Sequence, residues 1–370
     1  MNLSYWELKS WLSNVDFTIV GSGIVGLTCA LQLRARYPES NILLLEKGIL
    51  PQGASTKNAG FACFGSLSEL IDDLQHHTEE QVLHLVRQRI EGLRVLRSAL
   101  GDRAIDYQQL GGYELFLNKD EQLLETCMHQ LDAINSLLHP IYSEPVFEWK
   151  ERSFGFQNIN QKFSFNKFEG QIDTGKMMYN LMNSVLKQNI KVLNATTVEQ
   201  LVDAGNKVHV KTNHFDFFSS KVFIATNGFA SQLLKEDVKP ARAQVLITKP
   251  IKDLEIKGTF HLDRGFYYFR NIDNRILIGG GRNLDVDGET TTDFALSDPI
   301  QDRLEQLLKT TVLPGISFDI AHRWTGIMGV GSSKNPVVKQ VGNNIYCGVR
   351  LGGMGVAIGS SIGKRLAQLY

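Results

Sequence analysis

The chain has 370 residues, 43% of them hydrophobic and 21% charged, the composition of a globular protein long enough for two domains. Its 39 basic and 39 acidic residues cancel, so no general basic surface is offered to nucleic acid, which argues against it as a main partner. No apolar run approaches the roughly 18–20 residues of a membrane-spanning helix. Residues 1–14 include Glu7 and Lys9 and lack the apolar core of a secretory signal, so a cytoplasmic protein is expected.

Phe17-Thr18-Ile19-Val20 is an apolar, β-branched run suited to a parallel strand buried on both faces. Gly21-Ser22-Gly23-Ile24-Val25-Gly26 follows at once and completes G-x-G-x-x-G. Leu27, Ala30, Leu31 and Leu33 then recur at helical spacing, and Pro38 stops the helix. Ile42-Leu43-Leu44-Leu45 predicts a second buried strand, closed by Glu46. In such a unit Gly21 permits the tight turn, Gly23 lets a pyrophosphate approach the backbone, and Gly26 lets the helix pack on the strand. The helix start, with Ile24 and Val25, offers unpaired N–H groups and partial positive charge to phosphate. Glu46, twenty residues past Gly26, can accept hydrogen bonds from an adenosine ribose; an acid there disfavours NADP.

Residues 53–61 make a small, polar loop able to wrap the far end of a long dinucleotide. Ser66-Leu67-Ser68-Glu69 is a capping box ahead of Leu70, Ile71 and Leu74. Residues 79–100 read as a helix striped by Val82, Leu85, Val86, Leu93 and Leu96. Asp173 or Thr174 can cap a helix bearing Met177, Met178, Leu181, Met182 and Val185, where methionine fills core. Residues 191–193 and 222–225 read as further strands of the first sheet. Residues 113–117, 244–248, 265–269 and 275–278 have the character of an antiparallel sheet. Ile345-Tyr346-Cys347-Gly348 is a last strand, and Gly352, Gly353 and Gly355 open a C-terminal helix. Cys29, Cys63, Cys127 and Cys347 show no C-x-x-C pairing and are expected as reduced, buried thiols. His76, His77 and His84 read as a solvated helix face, and no metal is expected.

Taken together, these pieces resemble the D-amino-acid oxidase superfamily of flavoproteins, on the branch that holds glycine oxidase, sarcosine oxidase and γ-glutamylputrescine oxidase. The matching pieces are Gly21 to Gly26, Glu46-Lys47, Gly53 to Gly60, Ile172-Asp173-Thr174-Gly175-Lys176 and Phe223-Ile224-Ala225-Thr226-Asn227-Gly228. They continue with Tyr267-Tyr268-Phe269-Arg270, Leu277-Ile278-Gly279-Gly280-Gly281, Trp324-Thr325-Gly326 and Gly352-Gly353-Met354-Gly355-Val356-Ala357. The order is that of the family, from residue 16 to the C-terminus.

The resemblance implies non-covalent FAD. Its contacts would be Gly21, Gly23, Ile24, Val25, Gly26, Glu46, Lys47, Ser55, Asn58, Ala59, Gly60, Val198, Thr226, Asn227, Gly228, Gly353, Met354, Gly355 and Val356. Val198 would hold the adenine edge, and the C-terminal helix would face the flavin pyrimidine with its positive end. Relatives that bind flavin covalently use a cysteine within a stretch matching residues 325–336, where this chain has none. Lys57 and Phe64 are implied near the flavin. The implied reaction is hydride transfer from a carbon of a small-molecule amine or amino acid to flavin N5, with O2 or another acceptor reoxidising the cofactor. Where relatives carry an arginine for a substrate carboxylate this chain has Met328, so Arg350 and Arg323 are the candidates to replace it. Tyr268 is favoured over Tyr267 to face the flavin, because neighbours on a strand point to opposite sides.

The expected fold is α/β (α+β overall), a Rossmann-like domain with a second, antiparallel-sheet substrate domain. The cofactor domain is expected from residues 1–75, 170–235 and 320–370, and the substrate domain from 76–169 and 236–319. Oxidation of a C–N bond is the leading expectation. Dehydrogenation of a 2-hydroxy acid, modification of a bound macromolecule, a non-catalytic scaffold and an NAD dehydrogenase remain alternatives.

Overall fold

The computed structural model describes residues 2–151 and 154–370. Its first sheet has a parallel core in the order Ile345–Val349, Asp216–Ile224, Val15–Val20, Ile42–Leu45 and Lys191–Leu193. Val337–Gly342 adds antiparallel at one edge, and Val208–Thr212 and Val198–Asp203 extend from Asp216–Ile224. Val15–Val20 is central, so it must be apolar on both faces, and Phe17 and Ile19 enter one core while Val20 enters the other.

One face of this sheet is covered by helices whose glycines set their spacing. Ile24–Arg36 lies against the C-terminal helix Gly355–Ala367, where a Cβ on Gly363 would stand 2.6 Å from the Val25 carbonyl oxygen. Glu79–Leu100 packs on the same C-terminal helix through Gly92, whose added Cβ would be 2.0 Å from the Ala357 oxygen. Thr174–Lys187 completes the layer, capped by Asp173, which accepts the Lys176 N–H at 2.9 Å. Each fully buried Leu or Ile in this layer stabilises the fold by about 1.5–3 kcal/mol.

The second sheet runs Ile320–Val330, Lys239–Thr248, Arg275–Gly280, Tyr267–Ile272, Thr259–Leu262, Gly112–Leu115, Lys162–Asn166 and Phe147–Glu151. All neighbours are antiparallel except Thr259–Leu262 beside Gly112–Leu115. Its register builds one aromatic and aliphatic row, Leu246, Ile278, Phe269, Phe260, Tyr113 and Phe165, each directly opposite the next. Phe260 and Phe269 stack with centroids 4.5 Å apart, and the row packs on Ile300, Leu304 and Leu307 of the helix Asp298–Leu307. A one-residue slip would carry this row to the other face, so the packing pins the register.

Several expected boundaries differ. Ile320–Val330 was expected with the cofactor-binding segments, yet it pairs along its length with Lys239–Thr248 in the second sheet. Leu67–His76 buries Leu67 and Leu70 among Phe116 and Phe147, beside the second sheet. Glu79–Leu100, expected with the substrate domain, buries Leu96 in the first core. Residues 265 and 266 lie in a turn with Asp263, Arg264 and Gly265 at positive φ, and the strand starts at Tyr267. Among the described residues no helix is long and apolar enough to cross a membrane.

Candidate active site

A cavity of about 410 Å³ lies between the two sheets. At its first end Gly21 has φ +105°, and an added Cβ would stand 2.8 Å from the Ala225 carbonyl oxygen, so glycine is required by both conformation and space. Gly26 does not line the cavity; its Cβ would meet the Gly21 oxygen at 1.9 Å, which fits its expected packing role. Above Gly23 sits Ser55, whose Oγ accepts the Ile24 N–H at 3.0 Å. Glu46 is buried and held in place: its Oε2 accepts from Ser22 N–H at 3.0 Å and Ser22 Oγ–H at 2.5 Å, and its Oε1 from Gly48 N–H at 3.0 Å. Ser22, Thr196 and Thr197 join Glu46, Lys47 and Val198 in the wall; the sequence pointed to neither threonine, and to Ser22 only as part of G-x-G-x-x-G.

The loop from Gly53 to Gly60 is organised from within. Asn58 donates to the carbonyls of Ala54 and Ser55 at 3.2 and 2.8 Å, while its Oδ1 accepts from Gly60 N–H at 2.9 Å and Thr174 Oγ–H at 2.8 Å. Its amide therefore holds the loop, leaving backbone and small side chains to face the cavity. Arg270, fully enclosed, clamps the end of this loop by donating to Ile172 and Gly60 carbonyls at 2.8 and 3.3 Å. Burial lowers its pKa to about 10. Thr226 and Asn227 line the cavity, whereas Gly228 packs outside it, its Cβ position 2.5 Å from the Met328 oxygen.

The starts of two 13-residue helices, Ile24–Arg36 and Gly355–Ala367, meet at this cavity, so both positive ends face the same space. Gly353, Met354, Gly355 and Val356 line it, and no atom comes nearer than 4.0 Å to a Cβ position on Gly353 or Gly355. Thr226 Oγ1 is buried there without a hydrogen-bond partner. An elongated dinucleotide fits these features: glycine-lined space, two helix starts, an oriented carboxylate and an idle hydroxyl.

The second sheet forms the other wall. His261, Tyr268, Gly279, Val245 and Trp324 lie directly opposite one another across five strands and so share a face. Gly279 is needed there, because a Cβ would meet the Tyr268 ring at 2.7 Å. Tyr268 lines the cavity, with burial raising its phenol pKa to about 12, while Tyr267 faces the opposite core. Trp324 Nε1 donates to the Lys57 carbonyl at 2.9 Å and fixes the loop against this wall. Lys57 lines the cavity, but Phe64 is enclosed in the cluster beside Leu67 and Phe116.

The two arginine expectations are corrected. Arg350 does not line the cavity: it pairs with Asp237 at 2.9 Å and donates to the Asn335 carbonyl at 2.9 Å. Arg323 is paired with Glu305 and donates to Gln301 Oε1 at 2.8 Å, also away from the cavity. Both guanidinium groups are used up by partners distant in sequence.

In their place the cavity wall carries Arg282, His261, Glu69 and Cys63; the sequence marked Glu69 only as a capping residue and Cys63 only as a buried thiol, and neither Arg282 nor His261 at all. His261 Nε2 meets Glu169 Oε1 at 2.6 Å, and Thr259 Oγ–H donates to the same oxygen at 2.7 Å. The donor atoms of Cys63, Glu169 and His261 lie within 4.8 Å of one another. The 2.6 Å contact is shorter than the roughly 3.3 Å between two ligands on one tetrahedral zinc, so the group is an ion pair beside a thiol. Burial, with Glu169 and Glu69 nearby, holds the Cys63 thiol well above its ordinary pKa.

Desolvation alone would lower the His261 pKa, but the Glu169 carboxylate outweighs it and raises the value from 6.5 to about 9. A raised folded-state pKa means stability that is complete below pH 6.5 and lost as pH rises through about 9. The melting temperature should therefore fall across that window, and His261→Gln should flatten the fall. An unchanged pH slope in the variant would remove His261 as its source.

Comparison with known proteins agrees with this geometry. A family model described as FAD dependent oxidoreductase matches residues 16–369. The γ-glutamylputrescine oxidoreductase of Escherichia coli K12 is 24% identical, over 96% of this chain and 83% of its own length. The crystal structure of glycine oxidase from Geobacillus kaustophilus superposes with a TM-score of 0.76 at 18% identity, covering 96% and 94% of the two chains. L-proline dehydrogenase from P. horikoshii gives 0.71 at 17% identity, covering 96% and 93%. With the motifs in order and the family model spanning nearly its whole length, the chain belongs to the FAD-dependent oxidoreductases of the D-amino-acid oxidase family.

Proposed function

We propose that the protein binds FAD without a covalent link and oxidises the C–N bond of a small amine or amino acid. The observation that carries this reading is one cavity lined both by the paired helix starts and by Tyr268. The names of the similar proteins support it, since glycine, L-proline and γ-glutamylputrescine each offer a C–N bond to oxidise. Bound FAD would supply the two-electron acceptor for a hydride from the substrate carbon.

The chain's own residues would do the rest. Gly21, Gly23, Ile24 and Val25 would receive the pyrophosphate, Glu46 the ribose, and Thr196 to Val198 the adenine. Ser55, beside Gly23 and Ile24, would close over the pyrophosphate, and Ala59 and Gly60 would enclose the far end of the cofactor, with Thr226 and Asn227 beside it. The start of the helix at Gly353 to Val356 would stabilise negative charge on the cofactor. Tyr268, Phe61 and Val245 would exclude water from the reacting carbon. Phe61 holds its ring edge-on to both Tyr268 and His261, with centroids 5.4 and 5.3 Å away. Cys29, Cys63, Cys127 and Cys347 are all free and buried, which supports a reducing, cytoplasmic setting.

The purified protein should show flavin absorption bands, and denaturation should release FAD into the supernatant. Anaerobic addition of amines, amino acids and 2-hydroxy acids should bleach those bands with the C–N substrates. Bleaching by hydroxy acids alone would overturn the C–N assignment, and a colourless protein that takes up no FAD would overturn the whole reading.

A further inference from the structure

Arg282 follows Gly280 and Gly281, whose φ values of +119° and +82° suit glycine and strain other residues. A Cβ on Gly280 would stand 2.0 Å from the Phe266 carbonyl oxygen, and the Gly281 N–H donates to that same oxygen at 2.9 Å. The two glycines thus turn the chain out of Arg275–Gly280 at a fixed angle and set Arg282 into the cavity wall with Phe266. Its Nε is buried with no hydrogen-bond partner, and its Nη2 reaches only Thr290 Oγ1, at 3.4 Å.

The neighbouring arginines are all engaged. Arg242 is held by Glu289, Arg270 by two carbonyls, Arg323 by Glu305 and Arg350 by Asp237. Among the described residues, Arg282 is the arginine that lines the cavity, and no carboxylate forms an ion pair with it. A guanidinium with an idle, desolvated donor gains most from an anion that arrives with the ligand. A negative charge belongs to the same cavity wall. Glu69 lies beside the turn that precedes Phe266, its Cδ 2.8 Å from a Cβ position on Gly265, and it lines the cavity too. It would repel a carboxylate and attract an amine.

We infer that Arg282 is the carboxylate-recognising residue of this site, selecting substrates that carry a carboxylate as well as the C–N bond to be oxidised. The inference deepens the proposed function and rests on it for the identity of the reacting bond. Arg282 takes no part in bond breaking; it positions the substrate by a charge-assisted, two-pronged hydrogen bond.

The test uses the FAD-loaded protein and needs no turnover. Benzoate and its neutral counterpart benzamide are titrated by calorimetry into the wild type, R282Q and R282K. Benzoate should bind the wild type, weaken roughly ten- to a hundredfold in R282Q, and fall between the two in R282K. Benzamide binding should be the same in all three. With a carboxylate-bearing substrate, KM should rise in R282Q while kcat stays near the wild-type value. Benzoate affinity that R282Q leaves unchanged, or no preference for benzoate over benzamide in the wild type, overturns the assignment. R282K keeps the test decisive if R282Q folds poorly. Failure of every C–N substrate to bleach the flavin would instead overturn the proposed reaction, and the calorimetry would still judge Arg282.

Discussion

Gly26→Val is expected to yield protein that binds no FAD and has lost about 1–3 kcal/mol of stability or more. An added Cβ at Gly26 would lie 1.9 Å from the Gly21 carbonyl oxygen, and a backbone atom cannot swing away as a side-chain tip can. The only relief is to push the helix Ile24–Arg36 off the strand Val15–Val20, which takes its start away from the cavity. The measurement is FAD titration by flavin fluorescence together with thermal melting. Gly53→Ala is the matched control, because no atom lies within 4 Å of a Cβ there. A Gly26→Val protein that purifies yellow and melts with the wild type would refute the close-packing account.

The second large effect is expected at a buried ion pair. Arg242 meets Glu289 through two parallel bonds, Nε to Oε2 at 2.9 Å and Nη2 to Oε1 at 2.7 Å. Gln244 Nε2 also donates to Glu289 Oε1 at 2.9 Å, and Glu289 is only 1% exposed. Glu289→Ala strands the guanidinium in a water-poor site and should destabilise the protein by about 3–5 kcal/mol. Replacing both partners, as in Arg242→Met with Glu289→Ala, should recover much of that loss, since the cost comes from the unpaired charge. Thermal and urea melts of the two single variants and the double variant measure it as a cycle. Equal losses in the single and double variants would locate the effect in packing instead. The segment carrying Glu289 begins just after Arg282, so Glu289→Ala should also loosen the wall that presents that arginine.

The His261–Glu169 pair has the same physics with a pH dependence added. Arg242 stays charged throughout, so its pair is insensitive to pH above the carboxylate range, whereas His261 loses its proton near pH 9. The two buried pairs can therefore be told apart by melting the protein at several pH values.

What the sequence by itself determined were features whose physics is local. Glycine spacing after an apolar run dictated the turn and helix at Gly21 to Gly26. The Ser66 cap was readable, and the second cap was narrowed to Asp173 or Thr174, because a cap and its N–H partner lie three residues apart. Strand alternation separated Tyr268 from Tyr267 before any contact was known. Tertiary structure alone decided which charges meet. Arg350 finds Asp237, 113 residues away, and His261 finds Glu169 across 92, distances over which no periodicity carries information. It also decided that Ile320–Val330 joins the second sheet, because either sheet could accept an apolar edge strand, and register with Lys239–Thr248 made the choice. Arg282 belongs to this second class. Its chemistry follows from a partner it lacks, and an unmet hydrogen bond exists only once every other group has found its place.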